Sequence, residues 1–403
     1  MFTTAVYAVD PSHFVPSFSL EETNGTLITH PTDKAAIDEA VQWLKRGEAI
    51  GIPTETVYGL AANALSADAV SKIYSAKNRP QDNPLIVHVS SLSMLRDLLP
   101  NRIVPEIYLL VIKKCWPGPL TIILPTSDLI PSSVTCNQPT VAIRFPSHPV
   151  ARALIEGCGF PLAAPSANSS GKPSPTLASH VFDDLQGRIP MILDGGSCNV
   201  GVESTVLDGL RNPPAILRPG GVTYETLRSI PGMEKLQVYR KDFVDSALEQ
   251  APTTPGMKYR HYSPEAKVIL MERDSETKES EPEFRRNFEQ MWKDEVKTAQ
   301  QTFGNPIKRI GILRTTGQDE NEQWEEVKMT TDGVECVILQ MGRLGHPDQV
   351  ARGMFKALRE LDSRSVDLIF VEGVSESQEG MAVMNRLRKA ASKVIETTTP
   401  NRA

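Results

Sequence analysis

The sequence predicts an α/β protein of two domains, and three observations carry that reading. Short apolar runs of strand length alternate with helix-period segments along most of the 403 residues. A turn-rich stretch poor in aliphatic residues interrupts the alternation between residues 236 and 264. Beyond it strands and helices alternate regularly, as in a doubly wound parallel sheet. The expected divisions are an irregular extension at 1–32, a mixed α/β domain at 33–235, a linker at 236–264 and a smaller parallel domain at 265–403.

Each element has a local reason. Thr32 or Asp33 is placed to cap a helix through Arg46, with Ala36, Ile37, Ala40, Val41 and Leu44 on one face. Ala49–Ile52 then reads as a strand, and Ser66-Ala67-Asp68 opens a second helix. Leu85–Val89, Leu120–Leu124, Val141–Phe145, Leu162–Ala164, Met191–Leu193, Ser204–Leu207 and Ala215–Leu217 are apolar runs of strand length, and Pro149–Glu156 reads as a helix. After the linker, Lys267–Met271, Arg309–Leu313, Cys336–Leu339 and Val366–Val371 read as strands. Phe284–Val296, Pro347–Leu361 and Gly380–Ser392 read as the helices between them.

Composition excludes several classes. A hydrophobic content of 40% with 23% charged residues is that of a folded chain. No apolar run approaches the roughly 20 residues that span a bilayer, so no membrane association is expected. Residues 1–32 hold no Lys or Arg, which argues against a secretory n-region or transit peptide and makes the cytosol the expected compartment. The five cysteines, with no C-x-x-C pair, are expected as buried thiols rather than zinc ligands or disulfides. The net charge of −6 is distributed as −3, 0, +1 and −4 over the four divisions. No division has the basic excess of a protein that grips nucleic acid through phosphates, so stable nucleic-acid binding is not expected.

Chemistry is suggested by polar loops that follow apolar strands. The segment Pro53-Thr54-Glu55-Thr56-Val57-Tyr58-Gly59-Leu60 offers two hydroxyls, a carboxylate and a phenol, suited to a small polar molecule, or serves as a capped turn. Lys77 and Arg79 lie one residue apart in a loop stiffened by Pro80 and Pro84, placed to clamp phosphate oxygens, although Lys77 alone is explained by a helix C-terminus. Ala164–Ser174, rich in Ser and Gly around Lys172, can form an anion-receiving concavity or a plain surface loop. Gly201–Val206 and Leu217-Arg218-Pro219-Gly220-Gly221 complete the set, the glycine pair permitting close backbone approach to a ligand, although taken alone an ordinary turn with an exposed Arg218 explains it better. His88 and Arg144 sit inside apolar strands and each requires a partner. No P-loop or G-x-G-x-x-G fingerprint is present. Cations and hydroxyls without a catalytic carboxylate pair suggest electrostatic stabilisation of transfer at phosphorus.

These motifs resemble, in order, those of the YrdC-like domain, and Pro255–Pro264 with Gly380–Ala391 resembles the two-domain form of the threonylcarbamoyl-AMP synthases. The resemblance implies a twisted, mostly mixed sheet followed by a smaller Rossmann-like domain. It implies condensation of L-threonine, bicarbonate and ATP to threonylcarbamoyl-adenylate and pyrophosphate. The product would pass to a tRNA threonylcarbamoyltransferase complex acting beside the anticodon. Carried over by motif, Thr56, His88, Arg144, Ser204 and the main chain of Ala164 would contact threonine. Arg79, Asn83, Thr140, Ser166, Ser174 and Arg218 would contact ATP, with Lys77 and Asn168 facing phosphate. Arg260, His261 and Tyr262 would come from the linker, and Mg2+ would accompany ATP without a protein cage of its own. Two alternatives are an RNA-binding module using the same surface and a carbamoyl transferase. The first is disfavoured by the zero net charge of 33–235, the second by the lack of zinc-type cysteine patterns.

Overall fold

The computed structural model describes residues 2–16, 25–250, 253, 261–272, 281–302, 307–316, 327–331 and 333–396. The chain divides into two compact units, residues 1–170 with 174–259, and residues 260–403 with 171–173.

In the first unit the sheet strands, in chain order, are β1 (Ala5–Ala8), β2 (Ile50–Ile52), β3 (Gly59–Asn63), β4 (Ile86–His88), β5 (Leu120–Pro125), β6 (Thr140–Arg144), β7 (Leu162–Ala163), β8 (Met191–Asp194), β9 (Thr205–Asp208), β10 (Ala215–Arg218) and β11 (Gln237–Val238). They lie in the order β1-β8-β2-β3-β7-β4-β6-β5-β9-β10-β11, a mixed sheet of parallel and antiparallel pairs. Its helices include α1 (Pro31–Lys45), α2 (Ala67–Lys77), α3 (Pro149–Cys158) and α4 (Ala178–Leu185). Pro31 pre-sets the helical φ, so α1 begins there, after His30, rather than behind a cap at Thr32 or Asp33. Its buried Ala36, Ile37, Ala40, Val41 and Leu44 share a core with Leu154 and Ile155 of α3 and with Ile50, Ile52, Met191 and Leu193 of the sheet. Truncating Leu44 there would cost about 2–5 kcal/mol.

The expected boundaries shift where tertiary pairing outweighs local composition. Residues 1–32, expected as an irregular extension, supply β1, which pairs in parallel with β8, and a small ladder between Phe14–Val15 and Leu27–Ile28. Gly59 and Leu60, expected in a loop, open β3 and pair antiparallel with β2. The segment from 236, expected as linker, first contributes β11 to the sheet and then a helix at Ser246–Gln250. Helix α4 was not expected, although Ala178, Val181 and Leu185 recur at helical spacing and form its buried face.

In the second unit the strands are β12 (Lys267–Glu272), β13 (Arg309–Thr316), β14 (Val327–Thr331), β15 (Val334–Arg343), β16 (Leu368–Glu372) and β17 (Ala391–Glu396), in the order β14-β15-β13-β16-β12-β17. All neighbours are parallel except β14, which runs antiparallel to β15 at one edge. Helices α5 (Glu281–Thr302), α6 (Pro347–Ser363) and α7 (Gly380–Ala390) connect them. The last helix stops at Ala390 because Ala391 enters β17, two residues before the expected end at Ser392. The expected parallel α/β architecture is therefore present with one reversed edge strand.

Candidate active site

Register builds the site of the first unit. His88 pairs with Arg144 across β4 and β6, and Arg144 pairs with Thr121 across β6 and β5. Neighbours in register project to one face, so three polar side chains line up across strands that are otherwise apolar. All are buried. The hairpin loop between β2 and β3 folds onto this row. Arg144 donates from Nη1 to Thr56 Oγ1 at 2.8 Å, and its Nη2 lies 2.7 Å from Glu55 Oε1. Glu55 Oε1 also accepts from Ser147 N–H at 3.1 Å. Thr54 Oγ1 holds the loop by donating to Val57 O at 2.6 Å.

The remaining motifs attach to the same frame. Thr121 Oγ1 and Ser204 Oγ are 2.7 Å apart, and Arg218 Nη2 donates to Ser204 O at 3.0 Å and to its Oγ at 3.2 Å. Ser174 Oγ donates to Glu203 Oε1 at 2.5 Å. Gly220 is fixed by close backbone packing: a Cβ would run into Glu203 O, Ser204 C and Thr205 N. Ala164, buried beside this frame, donates its N–H to Ile86 O at 3.0 Å.

Lys77 and Arg79 are deeply placed. Helix α2 ends at Asn78, whose φ of +51° is a left-handed position that Asn tolerates. Lys77 is 1% exposed, and its Nζ donates to Ser166 O and Asn168 O, drawing the Ser166–Ser170 loop onto the helix end. Ser166 Oγ in turn donates to Asn168 Oδ1 at 2.6 Å. Arg79 donates from Nη2 to Pro84 O at 3.0 Å and from Nε to Asn83 O at 3.2 Å. Both cations thus brace loops as the structure stands. Asn83 Oδ1 and Thr140 Oγ1 are buried with no hydrogen-bond partner among the described residues, an arrangement that usually signals a ligand or water. Thr140 opens β6 and Arg144 closes it, so these two atoms lie toward the other end of the strands, about 13 Å away along β6.

Burial sets the electrostatics. Burial pushes the Glu55 carboxyl up, but the charge and hydrogen bond of Arg144 with the Ser147 N–H outweigh it, and the net shift is downward. His88 is lowered to about 3, first by burial and then by Arg144, so it is neutral at physiological pH. Its Nδ1 lies 3.2 Å from Ile86 O, and the main chain of Leu162 is a second hydrogen-bonding neighbour. Burial likewise lowers His148, within electrostatic reach of Glu55, to about 4. Tyr58, held by its hydroxyl on Gly196 O at 2.7 Å, is raised by burial and stays protonated.

The structure thus joins Thr56 with Arg144 and Ser204 with Arg218, sets His88 beside Arg144 in register, and joins Lys77 with Ser166 and Asn168 in a separate cluster. Ser174 belongs to the first unit through Glu203. His261 and Tyr262 belong to the second unit, where Tyr262 packs against Phe355 at 5.3 Å between ring centroids. Arg260 lies outside the described residues. Sequence reasoning missed Thr121 and Glu203 and gave Glu55 no partner. Thr121 did carry a signal, a hydroxyl inside Leu120-Thr121-Ile122-Ile123-Leu124, which must find a partner when both faces of a strand are covered. Among the described residues the metal-type donors that approach one another are His13, His30 and Asp33, none of them in this network.

The fold is that of an α/β protein whose mixed sheet carries buried cations near its strand ends, followed by a parallel-sheet unit. The family model described as telomere recombination, which covers Sua5, YciO and YrdC proteins, matches residues 42–220. The model for the threonylcarbamoyl-AMP synthase C-terminal domain matches residues 222–392. Threonylcarbamoyl-AMP synthase of Schizosaccharomyces pombe is 46% identical over 386 residues, 90% of each chain. That of Pyrococcus abyssi is 42% identical over 354 residues, 87% of this chain and 93% of that one. The crystal structure of P. abyssi Sua5 complexed with L-threonine superposes with a TM-score of 0.77 at 36% identity, covering 98% of this chain and 100% of that one. The chain belongs to the threonylcarbamoyl-AMP synthase family, a family of enzymes. No described helix is long and apolar enough to cross a membrane.

Proposed function

We propose that the protein condenses L-threonine, bicarbonate and ATP into L-threonylcarbamoyladenylate, pyrophosphate and water, a nucleotidyl transfer. The adenylate then passes to a tRNA threonylcarbamoyltransferase complex that modifies the adenosine beside the anticodon. The observation that carries this reading is Arg144, buried with Glu55, Thr56 and His88 in a chain whose relative from P. abyssi has been crystallised with L-threonine.

In this reading the threonine carboxylate meets Arg144, and Thr56, His88, Ser204 and the main chain of Ala164 surround the rest. The threonine amine takes up bicarbonate with loss of water, and a carbamate oxygen attacks the α-phosphorus. The bond from that phosphorus to the bridging oxygen breaks, and pyrophosphate leaves. Because a carbamate is a weak, short-lived nucleophile, placement and exclusion of water do most of the work. Arg79, Asn83, Thr140, Ser166, Asn168, Ser174 and Arg218 are assigned to ATP, Lys77 to the loop that faces its phosphates. Glu55 is engaged by Arg144 and Glu203 by Ser174, so neither is a ready magnesium ligand, and Mg2+ is proposed to arrive on the triphosphate.

The test incubates purified full-length protein with ATP, L-threonine and bicarbonate and follows the adenylate by mass spectrometry together with pyrophosphate. Adenylate is expected only when all three are present. Arg79→Ala is expected to slow the reaction roughly tenfold or more while the chain stays folded, since one charge-assisted contact is lost. Absence of adenylate, or its formation without threonine, refutes the proposal.

A further inference from the structure

The second unit carries a cavity of about 450 Å3 at the carboxyl ends of β13, β15 and β16. That volume lies in the range of small-molecule sites. Its position follows from topology. From the end of β13 the chain leaves toward β14 and β15, whereas from the end of β16 it crosses through α7 to β17 on the other side. Because β13 and β16 are neighbours, a crevice opens where the connections part. Open α/β sheets bind ligands at such switch points.

The lining has a definite chemistry. Among the described residues that line it, Arg343, at the end of β15, is the cation of fixed charge and none is a carboxylate. Among the described residues Arg343 has no carboxylate partner. Hydroxyls come from Thr315, Ser375 and Ser377, and apolar surface from Leu344, Pro347, Val350 and Val374. The nearest buried acid, Glu372, is turned to the floor, where its Oε2 accepts from Thr315 N–H at 2.7 Å and from Thr315 Oγ1 at 3.2 Å. The loops are held in shape by close packing. A Cβ on Gly353 would run into Met341 O, and one on Gly380 into Ser375 O. Helix α6, of 17 residues, starts at the rim after His346, with no side-chain cap, so its positive end adds to the potential of Arg343.

We infer that this cavity binds a phosphate monoester of mononucleotide size. The phosphate lies on Arg343 and the Ser375 and Ser377 hydroxyls, and the organic part covers Leu344, Pro347, Val350 and Val374. An unpaired arginine fork beside hydroxyls suits a phosphate group. The site uses no glycine fingerprint and is independent of the reaction proposed for the first unit.

The experiment is hydrogen exchange of the full chain with AMP and, separately, with adenosine as probes. AMP is expected to slow exchange in peptides covering 343–350 and 373–381, and adenosine is not. Arg343→Gln is expected to weaken the AMP effect in those peptides tenfold or more, and Arg343→Lys, which keeps the charge, less. Arg218→Ala, placed in the first unit, is expected to leave it unchanged. No slowing at millimolar AMP, an equal effect of adenosine, an Arg343→Gln chain that responds as the parent does, or loss of the effect in Arg218→Ala would each overturn the inference.

Discussion

The strand-borne network of the first unit and the loop-lined cavity of the second differ in how their polar groups are held. In the first, His88, Arg144 and Thr121 project from paired strands, and their positions are locked by the ladders that form the sheet. Arg144 is held by Thr56 and Glu55, Thr121 by Ser204, and His88 by the main-chain carbonyl of Ile86. In the second, Arg343, Ser375 and Ser377 stand at strand ends and in loops. A site made of register is part of the fold's stability. A site made of loops is largely separable from it.

The contrast is most sharply tested at the buried ion pair. Glu55→Ala leaves the Arg144 charge uncompensated at 4% exposure, and a loss of about 3–5 kcal/mol is expected in urea unfolding. Replacing both partners, as Glu55→Leu with Arg144→Met, should recover most of that stability while synthesis stays absent. A Glu55→Ala chain as stable as the parent would show that the network is not part of the framework.

Glycines provide the next comparison. Gly220→Ala forces a methyl into the backbone of Glu203–Thr205 and is expected to cost about 3 kcal/mol. Gly345→Ala, at φ +79° with open space around its Cβ, meets only backbone strain of about 1 kcal/mol. Thermal unfolding of the two variants checks the ranking, and an inverted order would break the distinction between the regions.

The smallest expected effect is in pH. His88 and His148 have folded pKa values depressed to about 3 and about 4 from 6.5, so the unfolded chain binds more protons between those limits. Their contribution is fully present above 6.5 and is lost as pH falls toward 4. His88→Gln should flatten that fall by at most about 1.4 kcal/mol per pH unit. Urea midpoints of parent and variant between pH 8 and 5 provide the measurement. Parallel curves would place His88 in a solvated setting.

Much of the fold was legible locally. The strand at Leu120–Pro125, the Ser66-capped helix and the amphipathic face of α1 all follow from period and capping chemistry. β1 and β11 were not, because each is a strand only by virtue of a distant partner, Met191–Asp194 for one and Ala215–Ile216 for the other. At the site, the need for partners at His88 and Arg144 was visible as polar residues in apolar runs. The identity of those partners was not. Glu55 looked like one more polar loop residue until the hairpin between β2 and β3 folded it against Arg144, 89 positions along the chain.

By itself the sequence determined which runs must be buried, that several polar loops follow apolar strands, and that their motifs match one family. Tertiary structure decided which of those polar groups meet. It turned Lys77 inward to carbonyls of the Ser166–Ser170 loop, set Gly220 against the backbone of Glu203–Thr205, and opened a cavity between β13 and β16. The reason is that periodicity and capping are properties of neighbours a few residues apart. Register across a sheet, and the direction in which a chain leaves a strand, depend on contacts between segments far apart in sequence.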